Sequence, residues 1–227
     1  MPPTVLILMA LKNCLANNNF AKTLKCKKMK KLFIATILIH LTTAGLMAQG
    51  FDKALVTAQT AYTGGKLEET HFALLQAMQE LDITIGKEVL KLLPPKMEDR
   101  QVKTTKDNVS SNVGFIGATI HRSYGDTSRQ AELDIISNSP MIAMLNTMLN
   151  TPMLGGMMSD ANNKNVKVQG YKGRLSASDL SDGKKKYELQ IPLGSALVTF
   201  SANDCTESQV LAMANTLPMQ QIAKLIQ

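Results

Sequence analysis

The chain has few residues of the types that build metal sites and nucleophilic active sites. Its 227 residues include no tryptophan, three cysteines and three histidines. Beyond residue 50, only Cys205, His71 and His121 remain of the last two types. Zinc or copper sites made of imidazole and thiolate need three or four converging ligands, so we expect no site of that kind. A single thiol also excludes an internal disulfide in this part of the chain.

Motifs for hydrolysis and for nucleotide binding are missing as well. The sequence has no nucleophile elbow, phosphate loop, zinc-protease helix motif or dinucleotide fingerprint. Glu132 and Asp134 are two residues apart on a predicted strand, so we expect both side chains on one face, the solvated one. A hydrolase would need this pair or His121 in a cleft, with supporting groups that the sequence does not show. We therefore predict a protein that is not an enzyme and holds no cofactor.

An excess of positive charge is confined to the start of the chain. The formal net charge is +7, from 25 basic and 18 acidic residues. Residues 1–49 contain seven of the lysines and no acidic residue, which leaves 18 basic residues to balance the 18 acidic ones and a net charge of zero. Domains that bind nucleic acid carry a basic excess or a basic face. We therefore expect no nucleic-acid partner.

Residues 29–50 have the pattern of a secretory signal peptide. The basic start "MKK", residues 29–31, precedes an apolar run of about a dozen residues that ends in the small residues of "AQG". Cleavage falls before Phe51 or, as the competing site, after Ala48. The apolar run is shorter than the roughly 20 residues that a membrane-spanning helix needs. We expect the signal to be removed, so that the protein meets the membrane only through it.

Residues 1–28 then precede a complete signal. They are interpreted as an upstream extension, either a mis-called start with Met29 as the true one or a long n-region, and are excluded from the predicted fold. No cysteine follows the apolar run, which argues against a lipid anchor. The expected product is a soluble periplasmic or secreted protein of roughly 180 residues, enough for one domain with its own core.

The apolar spacing from 51 to 96 predicts two helices. Each helix has apolar residues at intervals of three and four, and the Gly64-Gly65 pair supplies a tight turn between them. Pro94 ends the second helix, and Gly86 is a candidate kink within it. The two series are Phe51, Leu55, Ala58 and Tyr62 in the first helix, and Leu67, Leu74, Met78, Leu81, Ile85, Val89 and Leu92 in the second.

From residue 97 to 227 the pattern predicts a sheet with helices around it. Five stretches alternate with period two and are separated by turn residues. A methionine-rich segment separates the second stretch from the third, and two short helices follow the fifth, the first opened by a capping box at Thr206 and the second by Pro218. Without βαβ alternation, this layout indicates an α+β protein: an αα-hairpin and an antiparallel sheet of about five strands flanked by helices. The predicted strands are 112–124, 129–137, 165–178, 184–193 and 196–202.

The methionine-rich segment is "NSPMIAMLNTMLNTPMLGGMMSD", residues 138–160, and contains six of the fourteen methionines. Ser139 and Pro140 predict a helix start, and Pro152 predicts its end. Three interpretations stay open: packing in the core or as a lid over it, an adaptable protein or lipid partner surface, and a Cu(I) site. The partner surface would use Met153, Leu154, Met157 and Met158, and the copper site would use Met141, Met144 and Met148.

Three stretches resemble landmarks of a family of uncharacterised exported bacterial proteins. They are "GKLEETHFALLQAMQELDITIGKEVLKLLPPKM", "ISNSPMIAMLNTMLNTPML" and "VKVQGYKGRL". In that family a helical hairpin ending in "LLP" precedes a small α+β domain, whose layout is similar to the PsbP/DcrB-like fold. The resemblance implies an accessory or assembly role and carries no catalytic residue. The sequence therefore predicts an exported, non-enzymatic binding protein, with a periplasmic Cu(I)-binding protein as the alternative.

Overall fold

A computed structural model describes residues 49–112, 116–150, 162–180 and 183–226. Within them, a helix pair precedes a seven-stranded antiparallel sheet, a two-stranded sheet and three further helices, which confirms the predicted α+β class. Residues Gly50–Gln227 form one compact unit. The helices are α1 (Gln49–Thr63), α2 (Leu67–Leu92), α3 (Met141–Asn150), α4 (Glu207–Ala214) and α5 (Met219–Ile226). The strands are β1 (Lys96–Met97), β2 (Arg100–Gln101), β3 (Asn108–Asn112), β4 (Ile116–Tyr124), β5 (Ala131–Ser137), β6 (Asn163–Val168), β7 (Tyr171–Asp179), β8 (Lys185–Leu193) and β9 (Ala196–Asn203).

The main sheet consists of two meanders that lie side by side and are joined by one pair of hydrogen-bonded strands. In the described residues its strands lie in the order β3-β4-β5-β9-β8-β7-β6, and all neighbours are antiparallel. Strands β3 to β5 form the first meander and β6 to β9 the second. The last strand of the second meander, β9, pairs with the last strand of the first, β5. The chain between β5 and β6 contains α3, so this helix belongs to the connection between the meanders.

Two of the predicted strands were wrong in their bounds. Residues 165–178 form not one strand but the two strands β6 and β7, joined by Gln169 and Gly170. Both turn residues have positive φ, 49° and 88°, as a two-residue hairpin turn of type I′ requires. A glutamine gives little sign of that backbone, which is why the turn was missed. The predicted strand 112–124 likewise takes in the end of β3 and all of β4.

One side of the sheet, which we call the core face, supports the main hydrophobic core. The strand register aligns large β-branched residues directly opposite one another, an arrangement that packs well across strands. Helix α2 contacts β3, β4 and α5. Four residues of α5 are buried. The aligned row, each member at most 1% exposed, is Ile120, Ile135, Val198 and Ile191.

The predicted starts of the last two helices are confirmed. Thr206 caps α4: its hydroxyl oxygen accepts from the Gln209 N–H at 3.3 Å. In return, the side-chain oxygen of Gln209 accepts from the Thr206 N–H at 2.9 Å, which completes the capping box. Helix α5 begins directly after Pro218. These signals are local in the chain, and for that reason the sequence alone sufficed to find them.

The helix pair packs through alanines, which differs from the sequence prediction. The apolar series of the first helix includes Leu55 and Tyr62, yet both are exposed, and the corresponding residues Leu74 and Met78 of α2 are exposed as well. A Cβ on Gly50 would lie 2.8 Å from the end of the Glu80 side chain, so this side chain of α2 approaches α1 closely there. Small residues at the contact permit that approach. The buried seam, which we call the alanine seam, consists of Ala54, Ala58, Ala61, Ala73 and Ala77.

Gly86 lets α2 lie close to the sheet and does not interrupt the helix. α2 is helical without a break through this position. A Cβ at Gly86 would lie 2.4 Å from Cγ1 of Val109 and 3.2 Å from Cγ1 of Ile120, both on neighbouring strands. The stiff Val109 side chain has no flexible end that could turn aside. The glycine is thus required by packing on the core face.

Replacing Gly86 with alanine is expected to lower the free energy of unfolding by about 1–3 kcal/mol. Alanine favours helix by up to about 1 kcal/mol relative to glycine, so the measured loss is the overlap with Val109 minus that gain. Urea unfolding followed by circular dichroism measures the change. Gly64→Ala is the matched control, since its Cβ would approach no atom closer than 3.5 Å. Equal stabilities of the two variants would contradict this account of Gly86.

Candidate functional site

Helix α3 lies on the side of the sheet opposite the core face, which we call the second face. On β7, Gly173 and Leu175 are buried in the core, so the alternating residues Lys172 and Arg174 project to the other side. The Lys172 ammonium donates to the side-chain oxygen of Asn150, the last residue of α3, at 2.8 Å. α3 also contacts β7, β8 and β9. Helix α3, the described part of the connection between the two meanders, therefore lies on the second face.

An apolar row on the second face explains the position of α3. The register places Ile136, Leu197 and Pro192 side by side on β5, β9 and β8. Leu197 is 3% exposed although it points away from the main core, and Leu145 of α3 is also 3% exposed. These buried leucines, on two elements in contact, indicate a small second core beneath the helix.

The methionine stripe of α3 divides between packing and exposure. Leu145 lies at its centre and is buried, whereas Met148 and Leu149 are partly buried. Near the start of the helix, Met141 and Met144 are 44% and 58% exposed. One part of the stripe therefore packs on the second face, and its first turn presents two thioethers to solvent.

A shallow cavity lies beside the end of α3. It has a volume of about 200 Å³ and is lined by Leu149, Asn165, Val166, Lys167 and Lys172. Lys167 and Lys172 are directly opposite each other on β6 and β7. Like charges at paired positions repel, and Lys172 is held by its hydrogen bond to Asn150. The cavity is open and its exposed lining is mainly apolar, with Leu149 of α3 on one side and Val166 of β6 on another.

Beyond α3, the second face is polar and contains a hydrogen-bonded chain of three side chains. Nδ1 of His121 lies 2.7 Å from Oδ1 of Asp134, and Nε2 lies 3.1 Å from Oγ of Ser123. The order acid, imidazole, hydroxyl is that of a hydrolytic triad. However, Ser123 is only 1% exposed, so its hydroxyl is not open to a substrate. We interpret the chain as a structural network that satisfies the polar groups of β4 and β5.

The sequence placed Glu132 and Asp134 on one face correctly and missed His121 as the partner of Asp134. Both carboxylates lie on the second face, opposite the buried Leu133, as the alternation predicted. His121 meets Asp134 because β4 and β5 pair in a register that sets these two residues directly opposite each other. A one-residue slip would separate them. The sequence indicated that β4 and β5 pair as a hairpin, but it did not show which residues of the two strands lie opposite each other.

Cys205 lies just before the capping residue of α4, where a thiol can become reactive. Burial raises the pKa of the Cys205 thiol, and the positive charge of Arg100 offsets only part of that rise. Its sulfur is positioned to donate to the carbonyl oxygen of Ala202 at 3.5 Å. A raised pKa keeps the thiol protonated at neutral pH, which is the opposite of an activated nucleophile. Cys205 is accordingly a half-buried packing residue.

Of the predicted site residues, the structure describes only the metal set. Met141, Met144 and Met148 share one side of α3. Met153, Leu154, Met157 and Met158 lie outside the described residues. Within the described ranges, no group of three or more His, Cys, Asp or Glu side chains converges in a way that could hold a metal ion.

Comparisons with protein-family models, with curated proteins and with solved structures find no match. The resemblance to the PsbP/DcrB-like fold accordingly stays a prediction. Among helices in the part of the chain that the structure describes, none combines the length and apolar character needed to cross a membrane.

Proposed function

We propose that this chain is an exported, non-enzymatic accessory protein that binds a protein partner through α3 and the methionine-rich segment after it. The observation that carries the proposal is the exposure of Met141 and Met144 on a helix whose centre, Leu145, is buried. Methionine is flexible and polarisable, and it is used where a surface adapts to a partner. The helix contacts three strands of the sheet, which supports the surface that Met141 and Met144 present. Its localisation is proposed as periplasmic or secreted, from the signal peptide that residues 29–50 predict.

The chemistry of the segment favours a protein over a lipid surface. Helices that lie on membranes combine an apolar face with lysines or arginines that meet anionic headgroups. Residues 138–160 contain no lysine or arginine. α3 itself carries no acidic residue in its first turn and no basic residue in its last. A methionine-rich surface without lysine or arginine fits an apolar segment of another protein better than a charged headgroup layer.

The test uses the protein as it is secreted from cells that express the full chain. Met141→Gln combined with Met144→Gln is expected to reduce the capture of a specific partner at least tenfold, because exposed apolar anchors contribute about 1 kcal/mol or more each. Ala143→Gln, an exposed change on the same helix, is the matched control. Captured proteins from the same compartment are quantified by mass spectrometry. Capture that is unchanged in the double variant, or reduced equally in the control, contradicts the proposal.

A second candidate function is Cu(I) binding, which the spacing of the thioethers favours. Met141, Met144 and Met148 follow one another at intervals of three and four on one side of α3, as three ligands to one ion would. Thioether sulfur is soft and suits Cu(I). Two of the three sulfurs belong to exposed side chains, so an ion can reach them without unfolding the helix.

The copper candidate is tested by titration of the secreted protein with Cu(I) against a competing chelator. We expect a dissociation constant below about 1 µM and its loss when all three methionines are replaced by leucine. Met78→Leu, which removes an exposed thioether on α2, is the control and should leave binding unchanged. Binding weaker than micromolar in the unaltered protein removes this function, and retention in the triple variant removes the site.

A further inference from the structure

An apolar surface runs along the helix pair, away from the proposed partner surface on α3. Its side chains are between 39% and 68% exposed although all are large and apolar. Scattered exposed leucines are normal in soluble proteins, whereas an apolar patch at the upper end of the usual size range is often functional. The members of this surface, which we call the hairpin surface, are Leu55 and Tyr62 of α1 and Leu67, Leu74, Met78 and Leu81 of α2.

Helix geometry places these residues on one side of the pair. Leu55, Tyr62, Leu74 and Met78 each directly follow a residue of the alanine seam. One residue corresponds to a rotation of about 100° around a helix axis. In two antiparallel helices that face each other, the same rotation carries both sets to the same side of the pair. The apolar residues of α1 and α2 therefore lie on one side of the pair, with the alanine seam as its floor and with the exposed Gln59, which follows the seam residue Ala58, between Leu55 and Tyr62.

The size of the hairpin surface matches what a protein interface needs. Aromatic and large aliphatic side chains present up to about 150–250 Å² each, so the six partly exposed residues amount to roughly 600 Å². The largest apolar patch of a typical monomer is about 300–600 Å². A stable interface buries roughly 800 Å² per partner, part of it contributed by a polar rim. Two such surfaces facing each other therefore reach the range of a specific dimer.

The charge of the surface points to a second copy of the same chain. No charged side chain is among its six members, so it has no feature that would select a partner of opposite charge. The chain beyond residue 49 has a net charge of zero, so two copies do not repel each other. A two-fold axis sets the same patch against itself, and a patch whose large side chains are all uncharged can pair with its own copy without repulsion between like charges.

We propose that two copies of this chain pair through the hairpin surface and form a four-helix bundle. The proposal concerns α1 and α2 alone and does not depend on the partner surface of α3. Each copy covers the other's six apolar side chains, and the two sheets lie outside the bundle. Tyr62 has the largest apolar area and is the expected anchor of the interface.

The test is the oligomeric state of the protein secreted from cells that express the full chain, with its N-terminus read by mass spectrometry. Sedimentation at concentrations up to about 100 µM is expected to show a dimer. Leu74→Glu with Met78→Glu sets four carboxylates into the interface and should weaken dimerisation at least 100-fold. Leu67→Glu, at the turn end of α2 and 68% exposed, is a second variant expected to act in the same direction.

Val56→Glu with Phe72→Glu is the matched control. Both residues are 62% exposed, but Val56 lies two positions after a seam alanine and Phe72 one position before another, so they point away from the hairpin surface. The control should remain dimeric, and all variants should keep the circular dichroism spectrum of the unaltered protein. A monomer at 100 µM overturns the proposal. So does a dimer that survives both Leu74→Glu with Met78→Glu and Leu67→Glu, or a control that weakens dimerisation as much as these variants do. A monomer that floats with lipid vesicles overturns it too and assigns the surface to a membrane.

Discussion

Replacing Arg100 with methionine is expected to lower the free energy of unfolding by about 3–5 kcal/mol, one of the two largest single effects we predict. Arg100 is 2% exposed and lies between three parts of the chain. Its Nε donates to the carbonyl oxygen of Arg129 at 2.9 Å, and Nη2 donates to that of Asn203 at 3.1 Å. Methionine fills part of the volume but leaves both carbonyls without a donor. Each such loss costs about 1–3 kcal/mol when the acceptor is buried.

The same side chain also has a charged partner. Nη1 of Arg100 lies 3.3 Å from a carboxylate oxygen of Glu98, whose side chain is 30% exposed, so solvent screens part of this attraction. Arg100→Lys keeps the charge but not the planar fork that reaches several acceptors at once. We therefore expect the lysine variant to recover less than half of the lost stability.

Denaturant unfolding measures these changes, and Arg129→Met is the matched control. The Arg129 guanidinium pairs with Asp99 at the surface, where the two side chains are 39% and 60% exposed. Exposed pairs contribute about 0–1 kcal/mol. The prediction therefore requires that Arg100→Met lower the free energy of unfolding clearly more than Arg129→Met, although the two arginines are close in the structure. If the free energy of unfolding of Arg100→Met were within 1 kcal/mol of that of the unaltered protein, the hydrogen bonds of Arg100 would not stabilise the fold as we describe.

The elements that could be predicted from sequence are those with local causes. The alternation of Ala131, Leu133 and Ile135 with polar residues fixed which side of β5 is buried. The capping box at Thr206 required only residues within one helical turn. The turn at Gln169 could not be predicted in the same way, because its backbone is stabilised by the pairing of β6 with β7 rather than by the residues of the turn.

The faces of the helix pair show why periodicity alone was insufficient. Ala54, Ala58 and Ala61 recur at intervals of four and three, and Leu55 and Tyr62 form a second series one residue further on. The two stripes are only about 100° apart, so both satisfy a helical pattern. Hydrophobicity favours the larger residues, whereas close approach of two helices favours the smaller ones. The choice depends on what else packs against the helix, which is tertiary information.

The candidate site also combines features that local sequence predicts with features that depend on tertiary structure. Ser139 and Pro140 predicted the start of α3, and the stripe through Leu145 predicted which side of the helix is apolar. The side of the sheet on which the helix rests follows from the path of the connection between two meanders, and no local pattern encodes it. The contact of Lys172 with Asn150 joins residues 22 positions apart. The exposure of Met141 and Met144 therefore required the structure.

The second large effect is expected at the ion pair of Arg122 and Asp107. Nε and Nη2 of Arg122 donate to the two carboxylate oxygens at 3.0 and 2.6 Å, a bidentate arrangement. The side chains are only 9% and 15% exposed. Burial acts to lower the pKa of Arg122, but the hydrogen bond and the attraction of Asp107 outweigh it and raise the pKa, so the guanidinium stays charged. Arg122→Met is expected to cost about 3–5 kcal/mol, because Asp107 is left as an uncompensated carboxylate.

A double-mutant cycle separates the pair from the cost of an unpaired partner. Asp107→Leu alone leaves the guanidinium without its acceptor and is expected to cost a similar amount. The combination of Arg122→Met with Asp107→Leu removes both charges, so we expect it to be more stable than either single variant and coupled by at least about 2 kcal/mol. Urea unfolding of the four proteins gives the coupling free energy. Additive losses would show that the two side chains act independently. Arg122 also donates from Nη1 to the carbonyl oxygen of Leu93 at 3.4 Å. Because that contact is lost both in Arg122→Met and in the double variant, it cancels from the coupling free energy.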